Sequence, residues 1–216
     1  GVTPEKEWQT LYEAMMHART NVHPGVSSTG RLGHEYYNRL GYIPYDVKIN
    51  ENVARTLEYA YDDWCIAQVA RKLGKTEDAA ALEEASRNYR NVFDKTTKLM
   101  RGRNENGEFQ SPFSPYKWGD AFTEGNAWHY TWSVFHDVEG LIDLMGERKG
   151  FTRMLDSVFV VPPVYDDSYY GFRIHEITEM QVADMGNYAH GNQPAQHMIY
   201  LYNLSLIHIS EPTRPY

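Results

Sequence analysis

At 216 residues the chain has the length for one domain with a substantial core, or for part of a larger one. A formal net charge of -8 and a pI near 5.6 exclude the basic footprint that a nucleic-acid groove or an anionic membrane surface requires. No apolar run approaches the roughly 20 residues of a bilayer span, and the single Cys65 excludes both an intramolecular disulfide and a cysteine-rich metal site.

In chain order, Thr3 and Pro4 open a helix to about residue 19, with Trp8, Leu11, Tyr12 and Met15 at helical spacing. Residues 21–33 read as a polar, glycine-rich loop, followed by a short helix over 34–40 that ends at Gly41. Asn50 is placed to cap a long helix over 51–73, closed by Gly74, with Val53, Leu57, Ala60, Trp64 and Ala67 along a broad apolar stripe. Thr76 starts its antiparallel partner, which carries Leu82, Ala85, Tyr89 and Phe93 on one face. Residues 98–122 hold too many Gly and Pro for a regular element yet stay aromatic, the mark of a functional loop. A central helix is expected to run from Gly125 to about Met145, and a shorter one over 151–159. A second aromatic loop follows at 161–171, and Ile174-His175-Glu176 lies past it. Asn192 is placed to cap a last helix with Pro194 in its first turn. No strand-like alternation persists, so the expected class is all-α. Helical hairpins joined by long aromatic loops suggest an α/α toroid, with the loops at one end building a site.

The chemistry concentrates in residues 120–137. Glu124 stands just before a helix whose first turns carry Asn126, Trp128, His129, Tyr130 and Trp132. Tryptophans four apart share a helix face, so a flat apolar wall is expected beside a carboxylate and an amide, as a sugar site needs. The same residues also serve plainer ends, since an acid before a helix complements its dipole and paired tryptophans build cores.

Thr123-Glu124-Gly125-Asn126-Ala127-Trp128, with Tyr130-Thr131-Trp132 and His136-Asp137, resembles the signature of glycoside hydrolase family 92, the calcium-dependent inverting exo-α-mannosidases. Tyr59-Ala60-Tyr61-Asp62-Asp63-Trp64 and His190-Gly191-Asn192-Gln193-Pro194 extend the resemblance, which runs from about Gly30 to Asn203. Inverting hydrolysis needs two carboxyl groups about 6.5–9.5 Å apart, one an acid on the leaving oxygen and one a base on the attacking water. The resemblance makes Glu124 the general acid and His175-Glu176 the pair that reads the α-1,2 linkage. Asn126, Trp128 and His190 join them in binding substrate. It also implies a calcium ion, for which Glu179 and Asn192, with Gln193, offer oxygen donors. His129 stands where the family pattern carries Gln.

The family's general base lies downstream of the His-Gly-Asn motif, and its members carry an N-terminal β-sandwich; neither is recognised here. Leu204 to Arg214 resembles a translated sequencing-library adaptor, which divides the chain into a partial catalytic domain over 1–203 and a non-native tail over 204–216. The expectation is therefore an internal fragment, inactive by itself, of an exo-α-1,2-mannosidase acting on mannose-containing glycans. Its parent is expected to be a bacterial periplasmic or cell-surface protein. A non-catalytic carbohydrate-binding helical domain is the alternative, and a helical scaffold for protein partners is disfavoured because the aromatics cluster in loops.

Overall fold

The computed structural model describes residues 4–205. Helix α1 (Glu5–Arg19) begins at Pro4, while the expected cap Thr3 lies outside the described residues. The expected loop that follows contains a two-stranded antiparallel hairpin, β1 (Val22–His23) and β2 (Val26–Gly30). Strands this short leave no legible alternation in the sequence. Then come α2 (His34–Leu40), the long α3 (Asn52–Lys72) and α4 (Thr76–Ala85), all close to the expected bounds. The face expected on the second half of α4 continues instead as a 3-10 turn (Ser86–Val92) and a small hairpin, β3 (Phe93–Asp94) with β4 (Leu99–Met100).

The start of α3 is capped from a distance. Glu51 takes a left-handed φ of 57° and no side chain caps the helix, so Asn50 does not play its expected part. The orphan N–H groups find the loop before the acid motif: Glu51 donates to Asp120 O at 2.6 Å, Val53 to Ala121 O at 3.0 Å and Ala54 to the same oxygen at 3.1 Å. The longest helix is thereby fastened to the site loop.

The expected central helix is two helices, α5 (Ala127–Tyr130) and α6 (Val138–Leu144). Thr131 Oγ1 turns back to Ala127 O at 2.6 Å and accepts the Met100 N–H at 2.9 Å, and Asp137 starts α6 afresh by accepting from the Gly140 N–H at 3.0 Å. No Gly or Pro marks that break. Helix α7 (Glu147–Val160) extends the expected short helix, and α8 (His175–Ala183) forms in a stretch where no element was read from the sequence. Two 3-10 turns, Gln193–Ala195 and Met198–Leu201, lead into α9 (Tyr202–Ser205). Residues 206–216, most of the segment read as a tail, lie outside the described residues.

The elements form an all-α arc of antiparallel helical hairpins, part of an α/α toroid, with three apolar centres that matter to the site. The main core runs from Val53 and Leu57 of α3 through Trp132 and Leu141 to Phe151 and Leu155 of α7. A second seals α1 against α3 and α4 through Tyr12, Ile66 and Leu82. The third is small: Trp118, Ile177, Met180 and Ala189 hold α8 against the loops.

Candidate active site

Glu124 sits on a strained turn. Its φ of 47° is left-handed, which costs a residue bearing a Cβ roughly 1–2 kcal/mol, and Gly119 and Asp120 before it also have positive φ. Contacts with distant chain hold the turn in place. The Asn192 amide Nδ2 donates to Glu124 O, Gly119 N–H donates to Gly125 O at 3.0 Å, and the Tyr170 hydroxyl lies on the Glu124 backbone. The Glu124 side chain itself is exposed.

Behind this turn the polar groups are fully enclosed. Asn126 caps α5, its Oδ1 accepting the Trp128 N–H at 2.9 Å, while its own N–H donates to His129 Nδ1 at 3.1 Å. His129 Nε2 meets Asn187 O at 2.7 Å, and Asn126 Nδ2 donates to Asn187 Oδ1 at 3.1 Å. An imidazole that accepts at one nitrogen faces a carbonyl at the other, which fixes the neutral Nε2–H tautomer. Burial agrees with this, pushing the His129 pKa down from 6.5 to about 4 against the opposing pull of the Asn187 carbonyl. Asn187 completes the clamp by donating its side-chain amide to Pro162 O at 2.9 Å and its backbone N–H to Val158 O at 2.7 Å.

The expected wall of two tryptophans does not form. Trp132 belongs to the main core, edge-on to Phe151 at 5.4 Å, with its Nε1–H donated to Trp128 O at 2.8 Å. Trp128 is also enclosed, 6.4 Å from Tyr116, and its buried Nε1 has no partner among the described residues. Both tryptophans are buried in the main core, so neither offers an open face beside Glu124.

The third apolar centre sets the other side of the site. With Ile177 and Met180 turned into it, α8 presents Glu176 and Glu179 at its flank and His175 outward. His175 is 78% exposed, its Nδ1 3.4 Å from carboxylate oxygens of both Glu176 and Glu179, and Glu176 is 18% exposed. Glu176, Glu179, Tyr188, His190, Gly191 and Asn192 line one cavity of about 70 Å³. The Glu179 carboxylate lies so close over Gly191 that a Cβ there would stand 2.6 Å from Oε2. His190 Nδ1 and the Tyr188 hydroxyl are 2.7 Å apart.

The structure thus gathers most of the sequence-read residues into one region: Glu124 joins the cavity wall through Asn192 and Asn126 is tied to it through Asn187, whereas Trp128 is packed in the main core. Asn192 stands at the expected N-cap position, with Pro194 in the first turn, but the helix is the short 3-10 turn Gln193–Ala195 and the Asn192 side chain makes no capping bond, serving as that link instead. Its Oδ1 is buried without a partner among the described residues. That orphan oxygen and the Glu179 carboxylate are hard donors of the kind a calcium ion takes, though two of the six to eight it needs. Among the described residues no cluster of three His, Cys, Asp or Glu is arranged to hold a metal.

Sequence reasoning passed over Asn187, whose partners lie tens of residues away, and the carboxylates Glu51 and Glu58. A cleft of about 660 Å³ lined by Glu51, Glu58, Asp62, Thr123 and Tyr130 opens on the other side of the Glu124 turn. Burial pushes the Tyr130 phenol up, and the charges of Glu58, Glu51 and Glu124 act in the same direction.

An arc of helical hairpins that brings oxygen donors and aromatic rings together at its loop end is the architecture of the toroidal glycoside hydrolases. Residues 1–207 match the glycosyl hydrolase family 92 catalytic domain, and the chain belongs to that family. It is 48% identical to a family GH92 inverting mannosidase from Bacteroides thetaiotaomicron, with a TM-score of 0.77 over 91% of this chain and 26% of that one. A GH92 alpha-mannosidase from the same organism is 37% identical, with a TM-score of 0.74 over 92% of this chain and 23% of the other. An uncharacterized secreted glycosidase of Arthroderma benhamiae is 28% identical over 180 residues, 69% of this chain and 23% of that protein. The chain therefore spans about a quarter of the length of these relatives. Among the described residues no helix is long and apolar enough to cross a membrane.

Proposed function

We propose that this segment supplies the acid half of an inverting exo-α-mannosidase that removes terminal α-1,2-linked mannose from glycans outside the cytoplasm. The observation that carries the reading is the Glu124 turn tied by Asn192 to the cavity of Glu176, Glu179 and His190, in a chain with extensive likeness to two mannosidases. Glu124, reachable from solvent, gives its proton to the glycosidic oxygen as the bond from that oxygen to C1 breaks. A water, activated by a carboxylate from elsewhere in the whole protein, adds to C1 from the opposite face. His175 and Glu176, side by side at the rim, hydrogen-bond two adjacent hydroxyls of the sugar on the leaving side. Glu179 and Asn192 would supply two of the oxygen ligands of a calcium ion, which when bound supplies a Lewis-acidic contact to sugar hydroxyls.

The test is mannose release from α-linked mannobioses by the whole protein that carries this segment, by its Glu124→Gln variant and by the 216-residue chain. Expected are α-1,2 cleavage with inversion by the first and at most trace activity from the other two. Retained cleavage by Glu124→Gln, or robust cleavage by the short chain, would sink the assignment. Tight binding without turnover by the whole protein would favour a carbohydrate-binding domain.

A further inference from the structure

We propose that His129 is a positioning residue for the general acid, acting through Asn126 and Asn187 to fix the turn that aims Glu124. The proposal rests on the reading of Glu124 given above. It goes beyond it by assigning a task to a histidine that touches no solvent and stands where the family pattern carries Gln.

The geometry leaves His129 little freedom. Its Nδ1 accepts the N–H of Asn126, two residues after Glu124, and its Nε2–H reaches the carbonyl of Asn187, 58 residues onward. The ring is held from the side by Trp118, edge-on at 4.9 Å, and Trp118 in turn packs in the cluster that seats α8. One imidazole therefore bears on three parts of the site: the acid turn, the 186–192 segment that lines the cavity, and the helix that carries His175 and Glu176. Asn126 bonds to the same Asn187 by its side chain, so the acid turn and the cavity wall are joined by two neutral hydrogen bonds in parallel.

Any buried imidazole needs partners at both nitrogens; what singles out His129 is that its two partners lie on the acid turn and on the segment lining the cavity. Gly125, between Glu124 and Asn126, has Tyr130 and His129 atoms within 3.0–3.3 Å of where a Cβ would lie, so the turn is pressed against the ring. Losing the Nδ1 acceptor leaves a buried N–H unpaired beside a strained residue, and the turn relaxes by re-aiming Glu124.

The experiment uses the whole protein and two substrates. An α-1,2-mannobiose needs its leaving oxygen protonated, whereas a dinitrophenyl α-mannoside departs as a stable phenolate and does not. His129→Phe keeps a flat aromatic ring, slightly larger than imidazole, and removes both hydrogen bonds. It is expected to lose about 10²-fold in kcat on the mannobiose, with KM changed by less than about threefold, while kcat on the aryl substrate changes little. His129→Gln offers one acceptor and one donor and is expected to restore mannobiose turnover to within about fivefold of the parent. Where His129→Phe does not fold, His129→Asn, whose shorter arm reaches only one of the two partners, is expected to show the same substrate split at smaller size. Equal losses on both substrates, or full mannobiose turnover in the Phe or Asn variant, would overturn the proposal. Glu124→Gln is run in parallel: if it is inactive on mannobiose while His129→Phe is normal, only the positioning role fails. If Glu124→Gln itself turns over mannobiose, the acid assignment fails and the positioning role with it.

Discussion

Two buried polar clusters hold this chain together, and they are built from different materials. Near the hairpin of α3 and α4, the carboxylate of Asp63, wholly enclosed, accepts from Arg19 Nε at 2.9 Å, from Arg31 Nη1 at 2.7 Å and from the Tyr37 hydroxyl at 3.2 Å. Those partners come from α1, from just past the β hairpin and from α2, so one charge docks three elements on α3. Behind the candidate acid the groups are neutral: an imidazole and three asparagines, Asn126, Asn187 and Asn192. Coulomb attraction is strong at low dielectric but weakly directional, which suits the docking of helices that only have to stay together. A neutral donor and acceptor are worth something only at the right angle, which suits a turn that has to point. The scaffold end is secured by charge, and the site end by direction.

The sharpest way to separate the two is to remove the acid itself. Glu124→Gln should cost about 10³–10⁴-fold in kcat on the mannobiose, with the urea midpoint unchanged, since an exposed side chain contributes little to folding. Asp63→Ala should do the opposite. It leaves the guanidinium of Arg31, 4% exposed, without its short partner, and is expected to lower stability by about 4 kcal/mol in urea unfolding. An effect under about 1 kcal/mol would show that water or Asp62, 3.6 Å from Arg31, takes over the charge.

The neutral cluster should answer to pH. His129 takes up a proton in the unfolded chain as pH falls through 6.5, but in the folded chain only near pH 4. Between those values the unfolded state binds more protons, so stability declines as pH drops and the full effect is about 3 kcal/mol. Burial lowers the pKa values of His136 and His197 as well, and both act with the same sign. His129→Gln isolates the contribution: its melting temperature should fall less steeply than the parent's from pH 6.5 to 4, and parallel curves would refute the assignment. The smallest effect belongs to the surface. Arg87→Ala removes an exposed pair with Glu84 and should change stability by less than about 0.5 kcal/mol.

Much of this was legible from spacing alone. The stripe through Val53, Leu57 and Ala60, with Gly74 behind it, marked the α3 and α4 hairpin, because a helix buries whatever recurs every three to four residues. The Thr123–Trp128 motif pointed to the acid turn and the carboxylate on it. Other features depended on partners remote in sequence. The central helix breaks without Gly or Pro because Thr131 is engaged by Met100, 31 residues away. Helix α8, for which no element was read from the sequence, is held by Ile177 and Met180 packing with Trp118. Asn50 looked like a cap, but α3 is capped by the backbone of Asp120 and Ala121; Asn192 stands at the start of its turn as read, but its side chain ties down Glu124, 68 residues before it. Short-range pattern decides which segments coil and which face they bury, since those choices are settled within a few turns of chain. Where a buried N–H, carbonyl or imidazole finds its partner is settled only when distant segments meet, and in this protein that meeting ties down the backbone of the Glu124 turn and keeps His129 neutral.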